Sequence, residues 1–317
     1  MRLALSTNWN NVRLKDGEAI VDEAISLGFD ALELGFKTTS HQIEGFKRCL
    51  DEMPIDSIHA YCPMPVGAPS GHPELYQLLS KSSDTRALAR CLLRDSIECA
   101  VELGAKTIVF HAGYVSLMTF FKSYGDNALR LCLGKVNGDV KSSQYAKMAS
   151  KALALRAKRG KKKLDLFKRE FDQVLPNLEK NKITLALENL PRIEGFPNVE
   201  EAQLLMKAYE GAPLKLWLDT GHAKVQSFFN WAPSEARLAE KLSASIVGIH
   251  LNDVEGFHDD HRQPGWGNVD FASLKNLAQK EDVLRVFEPH SPVGFDELKE
   301  SVAYVRKLWS PREESAD

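Results

Sequence analysis

Residues 106–112 read KTIVFHA, a run of β-branched and aromatic residues that is followed by a histidine. A short apolar run of this composition predicts a buried β-strand. Similar runs recur along the chain, separated by amphipathic helical patterns such as residues 17–28, 86–104 and 199–211. Together they make eight candidate strands: 2–6, 31–35, 55–60, 106–112, 183–189, 215–220, 245–251 and 283–289.

Strands that alternate with helices form parallel βαβ units, which assemble either into an open doubly wound sheet or into a closed barrel. Eight strands is the count of the barrel. We therefore predict an α/β fold, a (β/α)8 TIM barrel, with residues 1–317 as a single domain. A barrel of this kind takes roughly 250 residues, and insertions extend it.

A long segment interrupts the alternation after the fourth candidate strand. We predict a helical insertion over residues 114–164 and a polar C-terminal tail over residues 310–317. From Lys135 to Lys163 the insertion holds ten lysines and arginines and a single acid, Asp139. This charge suits a solvated helix, a nucleic-acid patch, or a cover that grips a phosphate at the barrel mouth, and the sequence leaves all three open.

The overall composition favours no charged partner. The formal net charge is −2, so a nucleic-acid footprint would have to be local. Five cysteines without a CxxC pair predict reduced thiols in a cytoplasmic protein. The sequence shows neither a secretory signal pattern nor a run of about 18 apolar residues, which predicts no contact with a membrane.

Acids and imidazoles stand at the ends of six candidate strands. They are His59, His111, Glu188, Asp219, His250 and Glu288. In a barrel the C-terminal ends of all strands open on one face, where enzymes of this fold keep their active sites. A lone buried histidine is usually just a satisfied polar group, but six such residues at strand ends predict a shared metal site.

The mixture of ligand types indicates the class of metal. Converging carboxylates repel each other and raise each other's pKa, and a divalent cation removes this conflict. Mixed His, Asp and Glu ligation favours Mn²⁺ or Zn²⁺ over Ca²⁺, with Co²⁺, Fe²⁺ and Mg²⁺ as alternatives. No cysteine belongs to the set, which argues against a closed structural zinc site.

Further ligand types lie close to the strand ends. His222 follows Asp219 by three residues, at the start of the next predicted helix. The loop after the seventh strand carries Asp259 and His261, which can point the same way as second neighbours in extended backbone. We expect these residues to be additional metal or substrate contacts.

We also expect a second layer of polar residues around the ligands. Asn252 and Asp253 follow His250 closely enough to orient its ring, and Glu33 faces the same mouth from the second strand. The remaining histidines receive no role from the sequence: His41, His72, His258 and His290.

Seven strings together resemble the xylose-isomerase-like barrel superfamily. This group includes sugar-phosphate isomerases and epimerases as well as endonuclease IV-type AP endonucleases, known as AP endonuclease family 2. The strings are SIHAYCP, IVFHAG, LALEN, LDTGHA, IHLND, DDHRQPGWGNVDF and FEPH. Each is weak alone, but their order and spacing are specific, and the resemblance covers nearly the whole chain.

In the isomerases and epimerases of this group, a Glu, an Asp, a His and a second Glu hold one metal. The matching residues are Glu188, Asp219, His250 and Glu288. The resemblance implies a divalent-metal-dependent isomerase or epimerase that acts on a sugar or sugar phosphate. Both glutamates would then serve as acid and base next to a carbonyl. Members of the superfamily are often homo-oligomers.

Endonuclease IV-type members use nine ligands for three zinc ions, and all nine positions find a match here. The five beyond the isomerase set are His59, His111, His222, Asp259 and His261. This keeps a multinuclear phosphodiesterase open as the alternative, and only this alternative makes nucleic acid a partner.

Two loops argue against DNA repair. The segments after strands two and three, GFKTTSHQIEGFK and AYCPMPVGAPSG, lack the loops with which endonuclease IV-type enzymes enter a duplex. The isomerase is therefore the preferred prediction. A barrel that uses its metal only to bind a small ligand ranks third.

Overall fold

All eight predicted strands occur in the computed structural model, which describes residues 1–68, 70–120, 122–290 and 292–310. They are β1 Ala4–Ser6, β2 Ala31–Leu34, β3 Ile55–His59, β4 Thr107–Phe110, β5 Thr184–Glu188, β6 Leu214–Asp219, β7 Ile246–Leu251 and β8 Leu284–Phe287.

The strands form one closed barrel in chain order. Every neighbouring pair is parallel, and the ring closes where β1 pairs with β8, with Ala4 opposite Val286. The predicted (β/α)8 barrel is confirmed, and the open sheet is excluded. Because all strands run the same way, their C-terminal ends open on one face.

Helices surround the barrel, and local signals set their ends. They are α1 Gly17–Ser26, α2 Ser40–Arg48, α3 Ser83–Leu103, α4 Asp126–Lys135, α5 Ser143–Phe171, α6 Leu175–Asn181, α7 Val199–Ala208, α8 Thr220–Phe228, α9 Glu235–Leu242, α10 Lys275–Ala278 and α11 Phe295–Trp309. At the start of α1 the Asp16 carboxylate accepts a hydrogen bond from the Glu18 amide. Gly104 ends α3 with a φ of 79°, a conformation that glycine adopts without strain.

Small side chains packed around one tryptophan fill the inside of the barrel. The buried members of this cluster are Ala4, Ala31, Val109, Ala186, Trp217 and Val286. The Trp217 ring lies against Gly248, where an added Cβ would come within 2.0 Å of it. Its centroid is 5.0 Å from that of the His250 ring, so Trp217 forms a floor beneath the strand ends.

The predicted insertion after β4 is helical from Asp126 onwards, apart from the turn that joins its two helices, and its described residues before Asp126 are not helical. Both α4 and α5 lie between β4 and β5. The predicted boundary at residue 164 falls inside α5, which continues to Phe171. One apolar face runs along this helix and buries Tyr145, Ala149, Ala152, Leu164 and Phe167. A single helix therefore serves both the insertion and the barrel wall.

Three cationic side chains of the basic run at residues 156–163 form hydrogen bonds or ion pairs within the protein. Arg156 is buried and forms a bidentate ion pair with Glu201, with both N–O distances at 2.6 Å. Arg159 and Lys163 donate to backbone carbonyls of neighbouring segments. This part of the charge attaches α5 to the barrel instead of facing a partner.

The remaining expectations concern thiols, membranes and the tail. The five cysteines are free thiols. Among the described residues, no helix is both long and apolar enough to cross a membrane. The predicted tail lies outside the described residues beyond Ser310.

Replacing Arg156 should destabilise the protein strongly. Arg156→Ala leaves the Glu201 carboxylate buried without its partner, which we expect to lower the free energy of unfolding by about 3–5 kcal/mol. Lys158→Ala, on the exposed side of the same helix, should change it by less than about 0.5 kcal/mol. Urea unfolding measures both, and equal losses in the two variants would contradict a structural role for the pair.

Candidate metal centre

The barrel brings the six predicted strand-end residues together. His59, Glu188 and Asp219 are the last residues of their strands, and His250 lies one residue before the end of β7. His111 and Glu288 directly follow β4 and β8. All six side chains are buried: His59, His111, Glu188, Asp219, His250 and Glu288.

The four residues of the isomerase set form one group, the four-ligand group. Glu188, Asp219, His250 and Glu288 each offer a ligand atom, and these atoms lie within 4.8 Å of one another. The distances from His250 Nδ1 are 3.3 Å to Glu188 Oε1, 3.7 Å to Asp219 Oδ2 and 3.1 Å to Glu288 Oε2. This arrangement can hold one divalent cation.

A second group, the His59 group, uses the other oxygen of Glu188. Glu188 Oε2 is 3.2 Å from His59 Nε2 and 3.0 Å from His111 Nε2. These three ligand atoms also meet the distance needed to share an ion. Glu188 therefore belongs to two groups, one through each carboxylate oxygen.

A third group, the Asp259 group, joins the two predicted residues of the β7 loop to His222. The Asp259 carboxylate lies 3.5 Å from His222 Nε2 and 3.4 Å from His261 Nε2. His222 is in the first turn of α8, where its amide donates to Asp219 Oδ1 at 2.7 Å. The N-cap of α8 thus links this group to the four-ligand group.

The hydrogen bonds of the five imidazoles suit metal binding. Each ring turns one nitrogen towards its group and the other towards an oxygen acceptor. The outer bonds join His59 to Ala60 O at 3.0 Å, His111 to Glu74 at 3.3 Å, His222 to Asn189 O at 2.8 Å, His250 to Glu33 at 2.9 Å and His261 to Glu288 O at 3.0 Å. Because a carbonyl or carboxylate oxygen accepts, the outer nitrogen carries a hydrogen, and the inner nitrogen is the one that can bind a cation once it has lost its own proton.

The second layer differs in part from the prediction. Glu33 accepts from His250 and is itself held by the Ser57 hydroxyl at 2.8 Å. Among the described residues, the side chains of Asn252 and Asp253 form hydrogen bonds with groups other than the His250 ring, so Glu33 orients that ring instead of them. Asn252 instead donates to Asp219 Oδ2 at 2.6 Å.

Asp253 shapes the loop that carries the Asp259 group. Its carboxylate accepts hydrogen bonds from the amides of Gly265, Gly267 and Val269 at 2.9–3.0 Å. The turn brings this backbone close, since a Cβ on Gly267 would come within 2.4 Å of the Asp253 carboxylate. Asp253 therefore holds the loop in place. The Pro-Gly-x-Gly sequence at residues 264–267 indicates a tight turn but not this role of Asp253.

A pocket of about 650 Å³ opens over the three groups. Of the four-ligand group, Glu188 and Glu288 line it, while Asp219 and His250 lie behind them. Sequence reasoning missed several lining residues: Lys37, His72, Glu74, Tyr114, Arg130, Arg192, His258 and His290. His290 stacks on His261 with centroids 3.9 Å apart, and its place two residues after Glu288 was the available signal.

Asn8 is another residue that sequence reasoning did not select. Its amide nitrogen donates to Glu288 Oε1 at 3.0 Å. The other oxygen of Glu288 faces His250. Asn8 follows β1 and so reaches Glu288 across the closure of the barrel.

The family model for the xylose isomerase-like TIM barrel matches residues 21–308. This chain belongs to that family. Among curated proteins, the uncharacterized protein MJ1311 of Methanocaldococcus jannaschii is 23% identical over 222 residues. The match covers 68% of this chain and 57% of that relative, so the chain spans little more than half of the relative's length.

Solved structures share the fold of this family member. The 3-keto-D-glucoside 4-epimerase YcjR of E. coli superposes with a TM-score of 0.66 at 15% identity, covering 97% of this chain and 99% of that one. The IolI protein with a binding zinc atom superposes with a TM-score of 0.63 at 13% identity, covering 98% and 100%. At these identities the likeness concerns the barrel itself.

The electrostatics of the centre favour a bound cation. Burial raises the pKa of Glu288, but His250 and other imidazoles outweigh this effect and lower it to about 2. Burial would lower the pKa of His111, but the carboxylates of Glu188 and Glu74 outweigh it and raise it to about 9. Protonated imidazoles thus balance the buried carboxylates when no metal does.

Metal-free protein should lose stability as the pH rises from about 6.5 through about 9. His111 keeps its proton up to about pH 9 in the folded protein but only to about 6.5 when unfolded, so its contribution is complete below 6.5 and lost above 9. A bound divalent cation should reverse the trend, because it requires deprotonated imidazoles.

Urea unfolding of chelated and metal-loaded protein across this pH range measures the effect. His111→Gln should flatten the slope of the metal-free protein, whereas His41→Ala, an exposed histidine outside the centre, should leave it unchanged. A rise in the stability of chelated wild type over the same range would contradict the assignment.

Proposed function

We propose that this protein is a divalent-metal-dependent isomerase or epimerase for a sugar or sugar phosphate. The supporting observation is that only two residues of the four-ligand group line the pocket. Asp219 and His250 lie behind the pocket, whereas Glu188 and Glu288 line it. The two residues that can reach a substrate are thus the two carboxylates that proton transfer requires.

Glu188 and Glu288 approach the pocket from different directions. They stand at the ends of β5 and β8, three strands apart around the ring. One carboxylate can remove a proton next to a carbonyl, while the other, in its protonated form, donates a proton to the neighbouring atom or to the opposite face. When bound, a divalent cation in the four-ligand group supplies the charge stabilisation that an enediolate needs.

Fixed positions help both glutamates act on a bound ketose. Asn8 holds Glu288 Oε1, and His59 and His111 lie beside Glu188 Oε2. A positioned acid or base of this kind contributes typically 10²–10⁴-fold to the rate. Zn²⁺ or Mn²⁺ fits the mixed ligands, and the zinc in IolI supports a divalent ion.

The walls of the pocket favour a polar, small substrate. Its volume of about 650 Å³ is in the range for a drug-sized molecule. Lys37 and Arg192 line it, and their charged groups lie over the rings of Phe36 and Tyr114 without a side-chain hydrogen bond or ion pair within the described residues. Cations without a carboxylate partner suit hydroxyl and phosphate oxygens. The name of YcjR, a 3-keto-D-glucoside epimerase, supports a carbohydrate.

Solvent proton exchange tests this proposal directly. Metal-loaded protein in heavy water should exchange a carbon-bound proton of at least one compound in a panel of ketoses and ketose phosphates, followed by NMR. Glu188→Gln and Glu288→Gln should each slow the exchange by at least about 10²-fold.

Glu52→Gln is the matched control, because Glu52 is exposed and lies before the start of β3, at the end of the barrel opposite the metal centre. The metal content of each variant is measured in parallel, which separates loss of the cation from loss of the base. If the metal-loaded protein exchanges no carbon-bound proton in any compound of the panel, the proposal is contradicted.

The completeness of the nine ligand positions favours one second candidate, a multinuclear phosphodiesterase. The His59 group and the Asp259 group add sites for two more ions around the four-ligand group. Clustered cations suit phosphoester hydrolysis, in which both the attacking and the leaving oxygens need charge stabilisation. Nucleic acid would be a substrate only in this case.

Metal counting and hydrolysis separate the two candidates. One ion per chain with exchange and no hydrolysis supports the isomerase, and two or three ions with cleavage of bis(p-nitrophenyl) phosphate or abasic DNA support the hydrolase. Asp259→Asn should then lower hydrolysis at least about tenfold. Asp260→Asn is the matched neighbour, since Asp260 pairs with Arg262 and belongs to no ligand group.

A further inference from the structure

One ligand histidine depends on a loop for its outer hydrogen bond. For four of the five imidazoles, the outer acceptor lies on or directly beside a barrel strand. For His111 the acceptor is Glu74, in the long segment 60–82 between β3 and α3. The orientation of His111 is therefore tied to the position of that segment.

Glu74 joins two side chains that follow β4. Its Oε1 lies 3.3 Å from His111 Nδ1 and also accepts a hydrogen bond from the Tyr114 hydroxyl. The Arg192 guanidinium lies over the Tyr114 ring, 5.5 Å from its centroid. With its side chain only 14% exposed, Glu74 is held in a polar contact at the inner wall of the pocket.

The same carboxylate supplies hydrogen bonds from its own loop to the rest of the chain, while Gly71 of this loop packs against the backbone of Phe36. Among residues 65–68 and 70–75, the hydrogen bonds to the rest of the chain come only from the Glu74 side chain. The following residues are held differently, since Lys163 donates to the Leu79 carbonyl and Arg86 to that of Ser80. Residues 70–74 line the pocket, and we call them the pocket wall.

We propose that Glu74 is a positioning residue that couples metal binding in the His59 group to closure of the pocket wall. By accepting the Nδ1 hydrogen of His111, it leaves the Nε2 lone pair directed at the group. This proposal depends on an ion in the His59 group, and so it goes beyond the single ion that the proposed isomerase needs.

The coupling works in both directions. An imidazole that binds a cation through Nε2 becomes a stronger donor at Nδ1, which strengthens the bond to Glu74. By linkage, whatever the closed wall adds to metal affinity, the metal adds equally to closure of the wall. Filling the His59 group would then favour the closed position of the pocket wall.

The test combines metal titration with hydrogen exchange. In wild type, adding Zn²⁺ should slow amide exchange of residues 70–75. Glu74→Ala should weaken binding at the His59 group by about 10–100-fold, measured against a chromogenic chelator, and abolish the metal effect on the wall. The affinity of the four-ligand group should stay within about threefold, since Glu74 touches none of its imidazoles.

Two further variants keep the test decisive. Glu74→Gln keeps the shape and an acceptor oxygen, so it should fold if Glu74→Ala does not and show a smaller loss in the same direction. Val66→Ala, an exposed side chain in the same segment, should change neither reading.

Unchanged affinity in a folded Glu74 variant, or wall exchange in wild type that ignores Zn²⁺, would overturn the coupling. Neither the metal affinity nor the amide exchange of the wall depends on turnover. A failure of the coupling therefore leaves the isomerase proposal standing, and a failure of proton exchange leaves the coupling standing.

Discussion

The centre of this protein depends on one buried carboxylate that uses both of its oxygens. Glu188 Oε1 faces His250, and Oε2 faces His59 and His111. An acid in this position is costly to bury alone, and it lies within ligand distance of two more acids of the four-ligand group. Positive charge must therefore accompany it, either as protons on the imidazoles or as a metal ion.

The two candidate functions differ in what happens at Glu188 Oε2. Proton transfer needs a carboxylate oxygen that is free to meet the substrate. A metal in the His59 group would occupy that oxygen, which suits hydrolysis at clustered ions better. The occupancy of one group, and with it the contact between His111 and Glu74, thus bears on which chemistry the shared four-ligand group performs.

The ligand groups keep their positions because side chains and helix caps of the barrel contact the ligands directly. Trp217 fills the interior below His250, where Gly248 leaves room for its ring. Asp219 caps α8 with one carboxylate oxygen and accepts a hydrogen bond from the Asn252 side chain with the other. These bonds use elements that the barrel needs in any case, so ligand geometry and fold stability support each other.

The eight strands, their closure into a barrel and the ligand types at their ends could be predicted from the sequence, because apolar runs and the residues that end them are local signals. The pairing of individual carboxylate oxygens with individual imidazole nitrogens could not be predicted in this way. The roles of Asn8 and Glu74, the place of His290 in the pocket and the partners of Asn252 follow from contacts between residues far apart in the chain. Only the closed ring brings those residues together, so these contacts could not be predicted from local sequence patterns.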